Sequence, residues 1–269
     1  RLRQGKINDV QETLIPAGII LAVSMFVVVV LQKDLGTGIS LVAIILSALV
    51  VSGMSWRIIG RIIGGLAVAA LILTFSSPHR VERVMTFIQG DTHQSQSDDN
   101  YHIQQARIAI GSGGLLGLGI GKSVQATGYL PEAINDSIFA IMGETFGFVG
   151  LIIILALFTA LLLSLLRVAS RLADVRLRLI VAGVFGWVTS QVVMNIASMT
   201  GVLPMTGISL PLLSYGGTNM LFIAAALGLA FQLSRYTSHK ALVEGEDDGK
   251  DPSGRRRFRR TRYASGGRI

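Results

Sequence analysis

There is no cysteine in the chain. Disulfides, thiolate nucleophiles and Cys-ligated zinc are excluded at the outset. Charge is scarce as well: Asp, Glu, Lys and Arg make up 15% of the 269 residues, against 51% hydrophobic residues. A soluble domain of this size could not build a polar surface from so little. The sequence starts at Arg1, with neither an initiator methionine nor a signal peptide. The expectation is of a partial chain whose earlier part carries further membrane spans.

What is present is hydrophobic length. Mean hydropathy is +0.58, and six apolar stretches stand out, at about 13–31, 36–54, 58–75, 137–165, 179–200 and 219–234. Blocks of roughly 18 residues or more cross about 30 Å of hydrocarbon as helices. Isolated strands there would leave backbone groups unpaired. The fold class expected is an all-α membrane protein, a polytopic helical bundle of about six transmembrane helices. Its membrane domain covers 1–235, with a long extracytoplasmic loop at about 76–136 and a disordered charged cytoplasmic tail at 236–269. Six spans put both ends on one side. If that side is the cytoplasm, 19 of the 24 Lys and Arg residues lie there, as the positive-inside rule asks.

The net charge of +8 would raise nucleic-acid binding in a soluble protein, but topology accounts for it here, and no nucleic acid is expected as a partner. The tail is acidic from Glu244 to Asp251, then basic from Arg255 to Arg260. It reads as a positive-inside anchor, or else as a docking site for a cytoplasmic partner. Within the long loop, Gln94 to Asn100 reads as mobile, and the part after Tyr101 as patterned.

The glycine run from Gly111 to Gly121 resembles a nucleotide loop only at first sight. A Walker A motif needs glycine at Leu116, and a Rossmann fingerprint needs it at Lys122. The segment is expected to be a re-entrant or surface-hugging loop, with glycines allowing tight turns and close packing. Asp136 falls where the fourth apolar stretch begins. It could be a helix N-cap, yet Glu132 precedes it and Glu144 follows on about the same helical face. A carboxylate two turns into a span should face a polar cavity, so the three are expected to converge on one extracytoplasmic pocket. There a carboxylate can act as general base toward a sugar hydroxyl. Arg80 and Arg83 could hold a pyrophosphate, or simply snorkel to the interface. Gln191, Asn195 and Ser198, at i, i+4 and i+7, either bond between helices or line a substrate groove. The stretches Leu203–Pro211 and Ser214–Thr218 break the helix at membrane depth, which is tolerated only when shielded by protein or lining a wet cavity.

Five segments together resemble the SEDS family (shape, elongation, division and sporulation; FtsW, RodA and SpoVE): Gln32 to Thr37, against a usual Q-P-D-L-G-T; His79 to Arg83; Gln105 to Gly121; Tyr129 to Gly150; and Leu203 to Gly217. They occur in family order and the resemblance spans about 1–235. Members have about ten spans, of which this chain resembles the last six. The Gly-Val-Leu-Pro-Met-Thr-Gly stretch at 201–207, Gly143 before Glu144 and the charged tail lean toward the FtsW (division) branch. The resemblance implies a peptidoglycan glycosyltransferase of the bacterial cytoplasmic membrane, polymerising lipid II on the outer face. Asp136 would activate the acceptor's 4-hydroxyl, with inversion at the donor and undecaprenyl pyrophosphate leaving. Substrate would be bound by Glu132, Glu144, Arg80, Arg83, Lys122, Gln191, Asn195, Ser214 and Tyr215. A divalent cation, Mg or Mn, is the one cofactor left open, with no metal ligands assigned. Expected partners are a class B penicillin-binding protein transpeptidase and other divisome or elongasome membrane proteins. The chain departs from the family pattern at Lys33 (usually Pro), Ser137 (usually Phe), Thr145 (usually Glu) and Ala126 (often Lys). Two other classes also fit a membrane bundle: a lipid II flippase, for which broken helices would serve, and a scaffold without activity. The gathering of polar groups at the outer side favours surface chemistry.

Overall fold

A computed structural model describes residues 15–32, 34–75, 81 and 98–248, and among these every regular element is helical. In chain order they are α1 (Ile15–Met25, continuing as a wider π-turn over Phe26–Leu31), α2 (Leu35–Val51), α3 (Trp56–Phe75), α4 (Asp98–Ser112), α5 (Ile138–Arg171), α6 (Val175–Met199) and α7 (Gly217–Asp248). A single 3₁₀ turn, Gln125–Thr127, lies between α4 and α5. Each of the six apolar stretches forms a helix. Among the described residues three helices, Ile138–Arg171, Val175–Met199 and Gly217–Arg235, are long and apolar enough to cross a membrane. Gly18–Val29 and Gly36–Val51 are shorter apolar helices.

The helix ends follow local chemistry. Asp34 caps α2: its carboxylate accepts from the Thr37 amide at 3.0 Å and from the Thr37 hydroxyl. Past α2, Gly53 takes φ +83°, a left-handed conformation that stops the helix cheaply. Asp174 caps α6, accepting from the Arg176 amide at 2.8 Å.

α6 is the hub. Half of its span is buried, whereas α5 and α7 turn most of their surfaces outward. It packs against α2 on one side and α5 on the other. The α2 contact is built from small residues. Ser47 Oγ donates across the interface to Ala182 O (2.7 Å), and a Cβ on Gly186 would overlap Ser47 Oγ and sit 2.5 Å from Ala43 O. Where no hydrophobic force drives one helix onto another, this backbone proximity supplies the van der Waals contact that does.

The structure departs from expectation at two edges. α4 begins at Asp98, inside the segment expected to be mobile, and its Ala106 and Ala109 are fully buried, packed toward α5. α7 runs on to Asp248, past the expected boundary at 235, through helix-forming Ala241, Leu242, Glu244 and Glu246. The remaining tail, 249–269, lies outside the described residues.

Gly186→Val should force α2 and α6 apart and cost about 1–3 kcal/mol, the usual range for overpacking. A thermal melt in detergent would show it as a lowered midpoint, with Gly183→Ala, where a Cβ finds ordinary contact at 3.5 Å, close to wild type.

Candidate active site

α5 is broken. Gly147 has φ +67° and ψ −168°, non-helical values inside an otherwise continuous helix. It lies nine residues from the helix start, about 13 Å in at 1.5 Å per residue. A break there frees amides and carbonyls where no water can satisfy them. The glycine loop takes them up: Leu118 N donates to Glu144 O (2.9 Å) and Gly119 N to Thr145 O (3.0 Å). In return, Phe148 N donates to Gly114 O (2.9 Å) and Val149 N to Leu115 O (3.2 Å). The backbones approach so closely that a Cβ on Gly113 would overlap Gly143 O, one on Gly117 would overlap Thr145 O, and one on Gly147 would overlap Gly117 N. The run that failed as a nucleotide loop thus completes a broken helix.

Glu144 belongs to this interlock. Helical spacing predicts that it opens onto the same hollow as Asp136; it is instead 1% exposed and committed elsewhere. Its carboxylate accepts from the Ser123 hydroxyl, from Val124 N (2.9 Å) and from Gln125 N (3.2 Å), closing the N-terminus of the 3₁₀ turn. Burial of an acid is tolerated there because donors surround it. Lys122 is exposed beside this turn.

Asp136 sits differently. The helix N-cap is Ser137, not Asp136, which removes the capping explanation. The Asp136 carboxylate is half-buried, has no hydrogen-bond partner among the described residues, and faces Gly207, whose added Cβ would lie 3.6 Å from Oδ2. Burial, and then the negative charge of Glu132, lift its pKa above the ordinary value of an aspartate. Glu132 is exposed and holds φ +48°, in the left-handed region uncommon for a side-chain residue. Its carbonyl accepts from Asn135 N (2.9 Å) and Ser137 N (3.2 Å), closing the turn that carries Asp136.

Three contacts fasten that turn to the segment between α6 and α7. Asn195 Nδ2 donates both to Asp136 O and to Ile208 O, each at 2.7 Å. Tyr215 N donates to Ile134 O at 2.8 Å. Ser198 Oγ reaches Pro204 O (3.2 Å) and Thr206 Oγ1 (3.1 Å), and Gln191 Nε2 donates to Asn219 Oδ1 (3.3 Å). Of the two readings of the α6 polar stripe, these bonds match the first, extended from neighbouring helices to the broken segment. Ser214 is buried, its Oγ accepting from Leu210 N (2.7 Å). The Tyr215 side chain is 75% exposed. Arg80 and Arg83 lie outside the described residues. Not named as candidate site residues from the sequence were His102, Ser123, Ser137 and Gly207; Ser137 carried a signal as a departure from the family pattern, and Gly207 as part of the Gly/Pro-broken stretch Leu203–Pro211.

These features define an all-helical membrane protein with an acidic site at one end of its bundle. The family model FtsW/RodA/SpoVE, described as "Cell cycle protein", matches residues 3–239, and the chain belongs to that family. It is 34% identical over 240 residues to stage V sporulation protein E of Bacillus subtilis (strain 168), covering 88% of this chain and 64% of that protein. It is also 34% identical over 250 residues to a probable peptidoglycan glycosyltransferase FtsW of Mycobacterium bovis, covering 92% of this chain and 47% of that one. Among solved structures it resembles a chain from work on "structural coordination of polymerization and crosslinking by a peptidoglycan synthase complex", with TM-score 0.61, 28% identity, and coverage of 80% and 60%. The chain thus spans about half to two thirds of the length of these relatives.

Glu144→Ala should leave the Val124 amide and the buried Gln125 amide without their acceptor, at about 1–3 kcal/mol. Limited proteolysis would then cut within 120–128 faster than in wild type, while Glu144→Gln, which keeps one acceptor oxygen, should fall between.

Proposed function

We propose that the protein is a peptidoglycan glycosyltransferase, polymerising lipid II into glycan strands at the outer face of the bacterial plasma membrane. The observation that carries this reading is Asp136: a half-buried carboxylate without a hydrogen-bond partner among the described residues, on a turn whose main chain is held by Asn195 and Tyr215. Its family includes proteins named for this activity. The bundle spans the membrane about six times in this chain, with both ends cytoplasmic and the turn bearing Asp136 outside.

In the reaction the ionised Asp136 accepts the proton of the acceptor sugar's 4-hydroxyl while that oxygen attacks the donor's anomeric carbon. The bond from that carbon to the pyrophosphate oxygen breaks, the configuration inverts, and undecaprenyl pyrophosphate departs with the bonding pair. A base whose pKa is lifted toward the working pH is a better proton acceptor than an ordinary aspartate. Tyr215 and Glu132, both exposed beside the turn, are available to the sugars; Arg80, Arg83 and Lys122 are the cations for the diphosphate. Asn195, Gln191, Ser214 and Glu144 act by holding the backbone that presents the site. Were a divalent cation bound, Asp136 and Glu132 are the two neighbouring carboxylates that would hold it, with waters filling its remaining positions. Such an ion would supply charge neutralisation at the leaving diphosphate. Among the described residues no group of three His, Asp or Glu side chains forms a closed metal site. A penicillin-binding protein transpeptidase is the proposed partner, cross-linking the strands as they emerge, alongside other membrane proteins of the division or elongation machinery.

The full-length protein with its partner, given labelled lipid II, should lose about 10²–10⁴-fold in rate on Asp136→Asn. Equal polymer from the variant would refute the assignment. Polymer from neither protein, with lipid crossing vesicles, would indicate a flippase. The pH profile gives a signed check: activity rises with pH as Asp136 ionises. Glu132→Gln removes a negative neighbour, lowers the Asp136 pKa, and should move the acid limb of kcat/KM to lower pH.

A further inference from the structure

Ser137 is the N-cap residue of α5, yet its hydroxyl does not cap the helix. It lies 2.9 Å from Pro131 O and 2.5 Å from His102 Nε2. His102, on α4, is 8% exposed, and Ser137 is fully buried. The directions of these bonds follow from chemistry. A carbonyl only accepts, so the Ser137 proton goes to Pro131 O. The serine oxygen is then the acceptor toward the ring, and Nε2 carries the hydrogen. An N–H to O–H to O=C relay results, whose serine and proline bracket the turn from Pro131 to Ser137 with Asp136 inside it. On the opposite flank Asn195 holds the Asp136 carbonyl.

We infer that His102 is a positioning residue for Asp136: through Ser137 it fixes the first and last residues of the Pro131–Ser137 turn and thereby aims the carboxylate. This rests on the reading of Asp136 as the reacting base. The pair forms a buried polar link between α4 and the turn, so the two positions act as one unit. The requirement is for a donor at the Nε2 position, and a glutamine side chain can place an amide N–H near it.

The test uses the full-length protein with labelled lipid II and four variants. His102→Leu should lower kcat about tenfold, with KM within about twofold of wild type, the pattern of an interaction felt in the transition state. His102→Gln should stay within about threefold of wild type. Ser137→Ala should match His102→Leu, and the double variant should be no worse than either single one, since both remove the same link. A second readout is independent of activity. This chain has no cysteine, so Ala133→Cys, at a half-buried position in the turn, can be labelled with a membrane-impermeant maleimide. Labelling should quicken in the His102→Leu background and not in His102→Gln. Losses that multiply in the double variant, a Gln variant as poor as Leu, or one labelling rate throughout would overturn the inference. A wild-type protein that makes no polymer would instead sink the proposed function, leaving labelling to decide the role of His102. Should His102→Leu fail to fold, Ser137→Ala and His102→Gln carry the comparison.

Discussion

A helix that breaks inside a bilayer can send its freed amides and carbonyls only to other protein groups. That requirement governs the site end of this molecule. Gly147 opens α5, and the glycine loop from Gly113 to Gly119 closes the gap with four backbone hydrogen bonds, two in each direction. The start of α5, which follows Asp136, is set by this repair. The first part of α5 is held at a fixed angle, Glu144 emerges from it to organise the 3₁₀ turn, and the polypeptide continues from that turn toward the strained Glu132 and Asp136.

The site separates two kinds of acid. Glu144 is surrounded by donors and buried, and its charge is spent on architecture. Asp136 has its main chain tightly held and its side chain left free of hydrogen bonds among the described residues. Fixing the backbone rather than the carboxylate keeps the group aimed without lowering its basicity, since each donor to the anion would stabilise the charged form. Burial and the neighbouring Glu132 push in the other direction. For the general-base role proposed for Asp136, such an arrangement combines orientation with basicity.

Much of this was legible in the sequence. Apolar length marked six of the seven helices among the described residues, because hydrocarbon thickness imposes a minimum that composition reveals; α4, with few apolar residues, was not marked that way. The acidic turn and the Gly/Pro-broken stretch were recognisable from residue types placed where helices should run unbroken. The roles within the site were not. Glu144 and Asp136 lie eight residues apart on a nominal helix, and helical spacing put them on one face. Asp136, however, precedes the first helical residue, so that spacing never applied. The partnership of His102 with Ser137 joins positions 35 residues apart, a separation no periodicity encodes. Asn195 was visible as part of a polar stripe, but whether it served ligand or backbone depended on the path of the Ile208 segment.

The interlock also constrains how such proteins can be recombined. Residues 113–119 and 143–149 meet through backbone atoms at separations that leave no room for a Cβ at Gly113, Gly117 or Gly147. Two stretches some thirty positions apart therefore have to be inherited as a matched set. A chimaera joined between them would pair one parent's loop with another's half-helix, and compatibility would hinge on main-chain shape, which exchange of side chains cannot restore.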